Sequence, residues 1–287
     1  MLASIGHALA THAIAMFMLS IGLRTDRDVI VLMWREHRGL VLRALLAVWL
    51  AVPLLSLAIL HVLRPPPISA ATLMVMAICP GVPLLVRKTD KAHGDRDTAL
   101  IVLIATLATA IVLTPAWAIV LDRITPLELH IRMRDVLFVI VPTVLVPYVV
   151  GRIIRTMSPR VATVLASIAN ALFLAGLGVI AIVLVVKTGL GAREISLSGA
   201  AACILIGLGA AAIGYFATRS GFARQTSIAY AAAFGNPALA LAVMSRSYPA
   251  KAAPLIVLFL VLRTLAFVPF NIRLRHEHGT HGGATYA

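Results

Sequence analysis

Long apolar stretches recur along the chain, and short polar segments separate them. This pattern predicts nine helices, at about 5–23, 40–62, 67–94, 97–121, 135–154, 161–186, 196–217, 224–246 and 252–271. A helix needs about 20 apolar residues to cross the hydrocarbon core of a bilayer, which is about 30 Å thick. Because unpaired backbone groups are costly in lipid, we predict an all-α polytopic membrane protein.

The composition supports this prediction. The chain has 287 residues, of which 61% are hydrophobic and 13% are charged, and its mean hydropathy is +0.99. A water-soluble fold could not cover so many apolar side chains. We therefore expect a single transmembrane domain over residues 1–275 and a disordered cytoplasmic tail over 276–287. Residues 5–23 lack a basic segment before them, which favours a retained helix over a cleaved signal peptide.

The two cysteines do not indicate a further functional site. Cys79 and Cys203 lie far apart in apolar segments, so they predict neither a disulfide framework nor a metal site. We expect no metal and no cofactor.

The positive charge of the chain follows the predicted topology. The formal net charge is +14, which in a soluble protein would suggest nucleic-acid binding. Of the 25 Lys and Arg residues, sixteen fall in loops on one side, eight in loops on the other, and Arg263 lies inside a helix. This bias predicts an extracytoplasmic N-terminus, a cytoplasmic C-terminus and contacts with lipid headgroups, not with nucleic acid.

Two of the predicted helices are interrupted near their middles. Helix three contains Cys79-Pro80-Gly81, and helix eight contains Gly235-Asn236-Pro237. Proline removes a backbone donor and glycine permits non-helical torsions, whereas Asn and Pro suit the start of a new helix. The two interruptions are five helices apart and therefore oppositely oriented, which is typical of inverted repeats in transporters. An ordinary proline kink is the alternative.

Opened backbone at membrane depth is tolerated only where it is buried in protein or lines a wet cavity. The N-termini of two half-helices expose N–H groups and partial positive charge, which favour an anion. We therefore predict an anionic substrate bound by residues of both broken helices and by the arginine in the last helix. The predicted substrate-binding residues are Gly81, Pro83, Arg87, Gly235, Asn236, Pro237 and Arg263.

Charged side chains at membrane depth are costly and need a role. Arg263 contacts an anionic substrate, acts as a fixed positive charge beside the crossing, or pairs with a carbonyl or carboxylate of the protein. Arg87, Lys88 and Asp90 either line an inward-facing cavity or belong to a basic cytoplasmic loop. Asp90 partners Arg87 or carries a proton, and the hydroxyls of Thr106 and Thr109 are further candidates for ion coupling.

Three stretches resemble the bile acid:sodium symporter family: MFMLSIGLRTDRD, CPGVPLLVRKTDKAHGD and RQTSIAYAAAFGNPALALAV. The resemblance covers essentially the whole chain. It implies two crossing broken helices, a panel and a core domain, and a substrate site between them. It also implies that this chain is the nine-helix form of a fold whose other members have ten helices.

The resemblance further implies where sodium ligands would lie. At those positions this sequence has apolar residues or glycine: Leu85, Val86, Ala99, Leu103, Ala231 and Gly235. Only Asn236 keeps its oxygen donor. Our hypothesis is that the fixed cations Arg87 and Arg263 stand where relatives bind a mobile one, so that transport is not sodium-coupled in the family manner.

These observations favour a secondary transporter for an organic anion that works by alternating access in a bacterial inner membrane. A non-transporting sensor or scaffold with the same fold is the alternative. An enzyme is disfavoured, because no paired carboxylates and no Ser–His arrangement lie at matching depths. Import or export, proton coupling or uncoupled transport, and the oligomeric state stay open at this point.

Overall fold

A computed structural model describes residues 2–25, 27–81, 84–125, 134, 137–138, 141–191, 196–247 and 252–268. Within these ranges the regular elements are helices. They are α1 Leu2–Arg24, α2 Arg27–Leu46, α3 Val52–Leu63, α4 Pro67–Ile78, α5 Leu85–Lys91, α6 Arg96–Ile124, α7 Val146–Met157, α8 Pro159–Gly191, α9 Leu197–Phe216, α10 Phe222–Ala233, α11 Pro237–Ser247 and α12 Ala252–Ala266. Short π-helical segments, Ala47–Ala51 and Val141–Leu145, directly precede α3 and α7.

Both predicted interruptions are present. The segment predicted as helix three is divided into α4 and α5, and the segment predicted as helix eight is divided into α10 and α11. In the first break Cys79 has φ −115° and ψ 69°, and in the second Phe234 has φ −112° and ψ 117°. Neither residue is helical, so each break is a true opening of the backbone.

The segment 24–39 differs from the prediction of a loop. α2 begins at Arg27, bends at His37, where φ is −124° and ψ is 24°, and continues through the first π segment into α3. The residues between Arg27 and Leu46 include good helix formers and no proline, so local propensity favours a helix. The predicted span 40–62 is therefore the apolar end of a longer helix.

By length and composition, three helical segments among the described residues could cross a membrane: Arg35–Leu63, Pro159–Gly176 and Leu197–Phe216. A fourth results if Arg96–Ala110 and Val112–Ile124 count as one span, although they are bent by 56°. The bend lies one turn before Pro115, whose ring clashes with the carbonyl four residues earlier. The count of nine spans stays a prediction.

One face of the α2–α3 segment is suited to lipid. Leu42, Leu46, Leu50 and Leu54 follow each other at intervals of four residues, and their side chains are between 48% and 59% exposed. Residues four apart lie on one face of a helix. Such an apolar stripe is unfavourable in water and favourable against hydrocarbon.

The helices form two groups. α1 packs against α7 and α8, and these make the first helix group. The second helix group contains α2 to α6 and α9 to α12, in which α10 contacts α5, α6 and α9, and α4 contacts α3, α11 and α12. Contacts of α12 with α8, and of α11 with α1, join the groups.

Glycine allows very close packing inside the first helix group. A Cβ atom at Gly151 of α7 would lie 2.6 Å from the carbonyl oxygen of Leu19, and one at Gly22 would collide with the carbonyl oxygen of Tyr148. Small residues let membrane helices approach backbone to backbone. α1 and α7 therefore pack with their backbones in close contact.

Two tryptophans tie α6 to the first π segment. Pro53 has no N–H to donate to the carbonyl of Trp49 four residues earlier. The indole N–H of Trp117 donates to that carbonyl at 2.7 Å, and the indole N–H of Trp49 donates to the hydroxyl of Thr109 at 2.8 Å. These bonds supply a donor that the proline removes and fix the position of α6.

Candidate functional site

The two broken helices meet at their breaks, in a contact that we call the helix crossing (residues 78–81 and 233–237). The backbone N–H of Asn236 donates to the carbonyl of Cys79 at 2.5 Å. A Cβ atom on Gly235 would collide with the carbonyl oxygen of Met76. The hydroxyl of Thr114 donates to the carbonyl of Ile78 at 2.9 Å. The crossing is therefore a direct backbone-to-backbone contact.

Local chemistry explains why the chain opens at these two places. Gly81 has φ +85°, a torsion that favours glycine. In the second break, the side-chain oxygen of Asn236 accepts the N–H of Leu239 at 3.2 Å, and Pro237 is the first residue of α11. Asn as the N-cap and Pro at the first helical position agree with the start predicted from the sequence.

The helix crossing lies within the protein interior. Residues 78–81 and 233–236 are all buried, and they do not line the cavity that is described below. The carbonyls of Ile78 and Cys79 accept hydrogen bonds from protein donors. Buried backbone groups need such partners, because water does not reach them.

The two threonines predicted for ion coupling are hydrogen-bonded inside the protein. The hydroxyl of Thr106 donates to the carbonyls of Val102 at 2.7 Å and Leu103 at 2.9 Å, and it lies 3.3 Å from the position that a Cβ on Gly81 would take. The hydroxyl of Thr109 donates to the carbonyl of Ala105 at 2.7 Å and accepts the indole N–H of Trp49.

Two cations reach the end of α10. Arg263 is only 2% exposed, and its Nη1 donates to the carbonyl oxygen of Ala233 at 3.1 Å. The Nζ of Lys88 lies 3.4 Å from the centroid of the Phe234 ring. Arg263 is thus paired with a carbonyl at the helix crossing, which fits two of its predicted roles, a structural partner and a fixed positive charge.

A cavity of about 310 Å³ lies between the two helix groups. The first helix group contributes α1 and α8 together with the residue after α1. The second contributes α5 and the start of α6. The lining residues are Phe17, Ser20, Ile21, Arg24, Thr25 and Asn170 on one side, and Val86, Arg87, Asp90, Arg96, Asp97 and Leu100 on the other.

The charges of this cavity favour an anion. Three arginines, Arg24, Arg87 and Arg96, line the cavity together with two aspartates, Asp90 and Asp97, and all five residues are exposed. Among the described residues, none of the five forms an ion pair. The planar fork of an arginine suits bidentate binding of a carboxylate or phosphate.

The turn between α5 and α6 holds the second wall of the cavity in place. The N–H of Asp95 donates to the carbonyl of Ala223 at 3.0 Å, and the hydroxyl of Ser227 donates to the carbonyl of Asp95 at 2.8 Å. The carboxylate of Asp95 accepts the N–H of Thr98, which caps α6, and lies 3.7 Å from Nε of Arg224. α5, α6 and α10 are thus joined at one end.

Most of the predicted site residues lie either in the helix crossing or in the cavity, and two lie on α6. Thr106 and Thr109 lie on α6, where their hydroxyls are already bonded, and Pro83 lies outside the described residues. Gly81, Gly235, Asn236 and Pro237 lie in the helix crossing, Arg263 lies beside Ala233, and Arg87 and Asp90 line the cavity. Their roles in binding and coupling stay predictions.

Other residues of these sites did not stand out in the sequence. Arg24 and Arg96 are ordinary loop cations in a topology count, and Asn170 resembles a helix-packing residue. Lys88, by contrast, is predicted together with Arg87 and Asp90 to line the cavity, but it lies against Phe234 instead. The signal that could have found them is their juxtaposition in space, which a single sequence does not contain.

A model of the sodium bile acid symporter family matches residues 11–195, more than half of the 287-residue chain. The chain belongs to this family. It is therefore an integral membrane protein of a transporter family, with a small molecule and membrane lipid as partners. The matched region includes both walls of the cavity and the first broken helix. Among curated proteins, no sequence matches the chain.

We expect Gly235→Ala to destabilise the protein by about 1–3 kcal/mol, because the added methyl group would meet the carbonyl oxygen of Met76. Gly39→Ala is the matched control, since a Cβ at Gly39 of α2 would have no neighbour within 4 Å. Thermal unfolding of both purified variants measures the difference. Equal midpoints for the two variants would contradict the close approach at the helix crossing.

Proposed function

We propose that this protein is a secondary transporter that carries a small organic anion by alternating access. The observation that supports this proposal best is the cavity between the two helix groups, which is lined by three arginines and two aspartates. An exposed excess of guanidinium groups in a cleft attracts anions and raises their local concentration. The proposal includes nine spans, inverted repeats and an extracytoplasmic N-terminus.

The lining of the cavity favours a carboxylate with an apolar body. The guanidinium groups can bind the carboxylate, whereas Phe17, Ile21 and Leu100 offer apolar surface. The volume of about 310 Å³ lies at the lower end of ligand pockets, which span roughly 300–1,000 Å³. We therefore favour a compact carboxylated metabolite over a large steroid conjugate.

The arrangement of the helices supports a rocking motion of one group against the other. The first helix group is held together by close packing at Gly22 and Gly151. In the second, the crossing and the α5–α6 turn link the broken helices to their neighbours. The cavity lies near the end of α1 and the start of α6, which faces the cytoplasm in our proposed topology.

Sodium coupling in the family manner is not part of the proposal. Leu85, Ala99, Leu103 and Ala231 have buried side chains without oxygen donors. The nearby Thr106 and Thr109 add only two hydroxyl oxygens, and that of Thr109 already accepts the indole N–H of Trp49. Hard cations need several oxygen ligands, and these residues do not supply them.

The first test is counterflow of labelled carboxylates in proteoliposomes that contain the purified protein. We expect Arg87→Ala and Arg24→Ala each to weaken the apparent affinity about 10- to 100-fold, because a charge-assisted hydrogen bond contributes about 1.5–3 kcal/mol. Arg123→Ala is the control, since Arg123 is exposed at the far end of α6. An affinity unchanged in both cavity variants would contradict the proposed site.

The same experiment separates transport from the alternative of a sensor or scaffold. A transporter exchanges labelled for unlabelled anion across the membrane. Saturable binding of the anion to the purified protein, together with no exchange in proteoliposomes, would identify the non-transporting alternative.

We further propose that Asp90 carries a coupling proton. Asp90 lies three residues after Arg87, a spacing that puts both on one face of α5. A protonated Asp90 is neutral, so its charge no longer weakens the attraction between the guanidinium of Arg87 and the anion. We expect Asp90→Asn to keep counterflow and to lose uptake driven by an inward proton gradient. Asp122→Asn, exposed near the far end of α6, is the control, and gradient-driven uptake that is equal in wild type and Asp90→Asn would refute this role.

A further inference from the structure

The C-terminal end of α10 presents a buried negative partial charge. The last carbonyls of an α-helix lack partners within the helix, and together they carry the equivalent of about half a negative charge. α10 ends at Ala233, inside the helix crossing, and residues 229–236 are buried. Because water is excluded there, this charge needs compensation from the protein or from a bound ion.

Arg263 supplies one positive charge at this end. Its Nη1 donates to the carbonyl oxygen of Ala233 at 3.1 Å, whereas its Nε and Nη2 are buried and have no hydrogen-bond partner in the part of the chain that the structure describes. The side chain lies along α9, where a Cβ atom on Gly207 would be 3.2 Å from its Cγ. Among the described residues, no carboxylate forms an ion pair with Arg263. The guanidinium therefore places its positive charge at the C-terminal end of α10.

Lys88 supplies a second positive charge from another direction. Its Nζ lies 3.4 Å from the centroid of Phe234, the residue that follows α10. The Phe234 ring is stacked with Tyr230 at 5.9 Å between centroids and lies 5.0 Å from the ring of Phe267. A cation over an aromatic face is stabilised by the ring quadrupole, more strongly where water is excluded.

The other helix end in the crossing is satisfied differently. The carbonyls of Ile78 and Cys79, at the end of α4, accept hydrogen bonds from the hydroxyl of Thr114 and the backbone N–H of Asn236. Both donors are neutral. Both cations thus lie at the C-terminal end of α10. Lys88 belongs to α5 and Arg263 belongs to α12.

From this geometry we infer that Lys88 and Arg263 are built-in counter-cations of the α10 end, which hold the helix crossing together without a bound metal cation. A corollary is that removing the Arg263 side chain leaves a site that binds a guanidinium ion from solution. The inference deepens the proposed independence from sodium, but it rests on contacts at the crossing and not on transport.

The first measurement uses the full-length wild-type protein in detergent. Its thermal midpoint is followed by tryptophan fluorescence in sodium, potassium or choline chloride at one ionic strength. We expect equal midpoints in the three salts. A midpoint that rises in sodium alone would overturn the inference, because it would reveal a bound metal cation that stabilises the fold.

The second measurement is chemical rescue. We expect Arg263→Ala to lower the midpoint by several degrees, and millimolar guanidinium chloride at constant ionic strength to restore at least half of the loss. Lys88→Met should also lower the midpoint, but without rescue, because Arg263 still fills its site. Arg123→Ala removes an exposed arginine from the end of α6 and should behave as wild type with and without guanidinium.

Either of two results would overturn the proposed role of Arg263: a wild-type midpoint for Arg263→Ala, or a lowered midpoint that guanidinium does not raise. If Arg263→Ala does not accumulate, Arg263→Lys and Arg263→Gln replace it. The charged variant should be the more stable of the two, and the reverse order would refute the role of charge. Counterflow is a separate measurement, so a failure of anion transport and a failure of this inference are distinguishable.

Discussion

The hydrogen bond from the backbone N–H of Asn236 to the carbonyl of Cys79 is the contact on which the rest of the structure depends. It joins two chain segments that have each left the helical conformation in the buried interior of the protein. Each opening presents backbone groups that would be costly alone, and each supplies partners to the other. Gly235 permits the approach because it has no side chain to keep the two backbones apart.

The crossing supports the cavity without forming its wall. α5 begins just after the first break and carries Arg87 and Asp90 into the cavity, while the α5–α6 turn is bonded to α10, the helix that leads into the second break. The charged wall is thereby tied to both broken helices. The opposite wall belongs to α1 and α8, so the binding surface is shared by the two helix groups.

The neighbouring cations Arg87 and Lys88 of α5 contact different parts of the protein. Successive residues of a helix point about 100° apart, and so Arg87 lines the cavity while Lys88 lies over Phe234. The sequence predicts Arg87 as a fixed cation near the crossing, whereas in the structure Lys88 lies there. Arg263 contacts the end of α10, as a fixed charge beside the crossing would.

The sequence by itself determined the membrane class, the family resemblance and the two interruptions, because each depends on local chemistry. Runs of apolar residues favour lipid, Cys79-Pro80-Gly81 and Gly235-Asn236-Pro237 open a helix, and Asn236 caps the next one. The tertiary structure decided which charges meet. Arg24, Arg96, Asp97 and Asn170 share one cavity with Arg87 because helices far apart in the chain pack together. Such contacts are set by packing over long separations in sequence, and no local pattern records them.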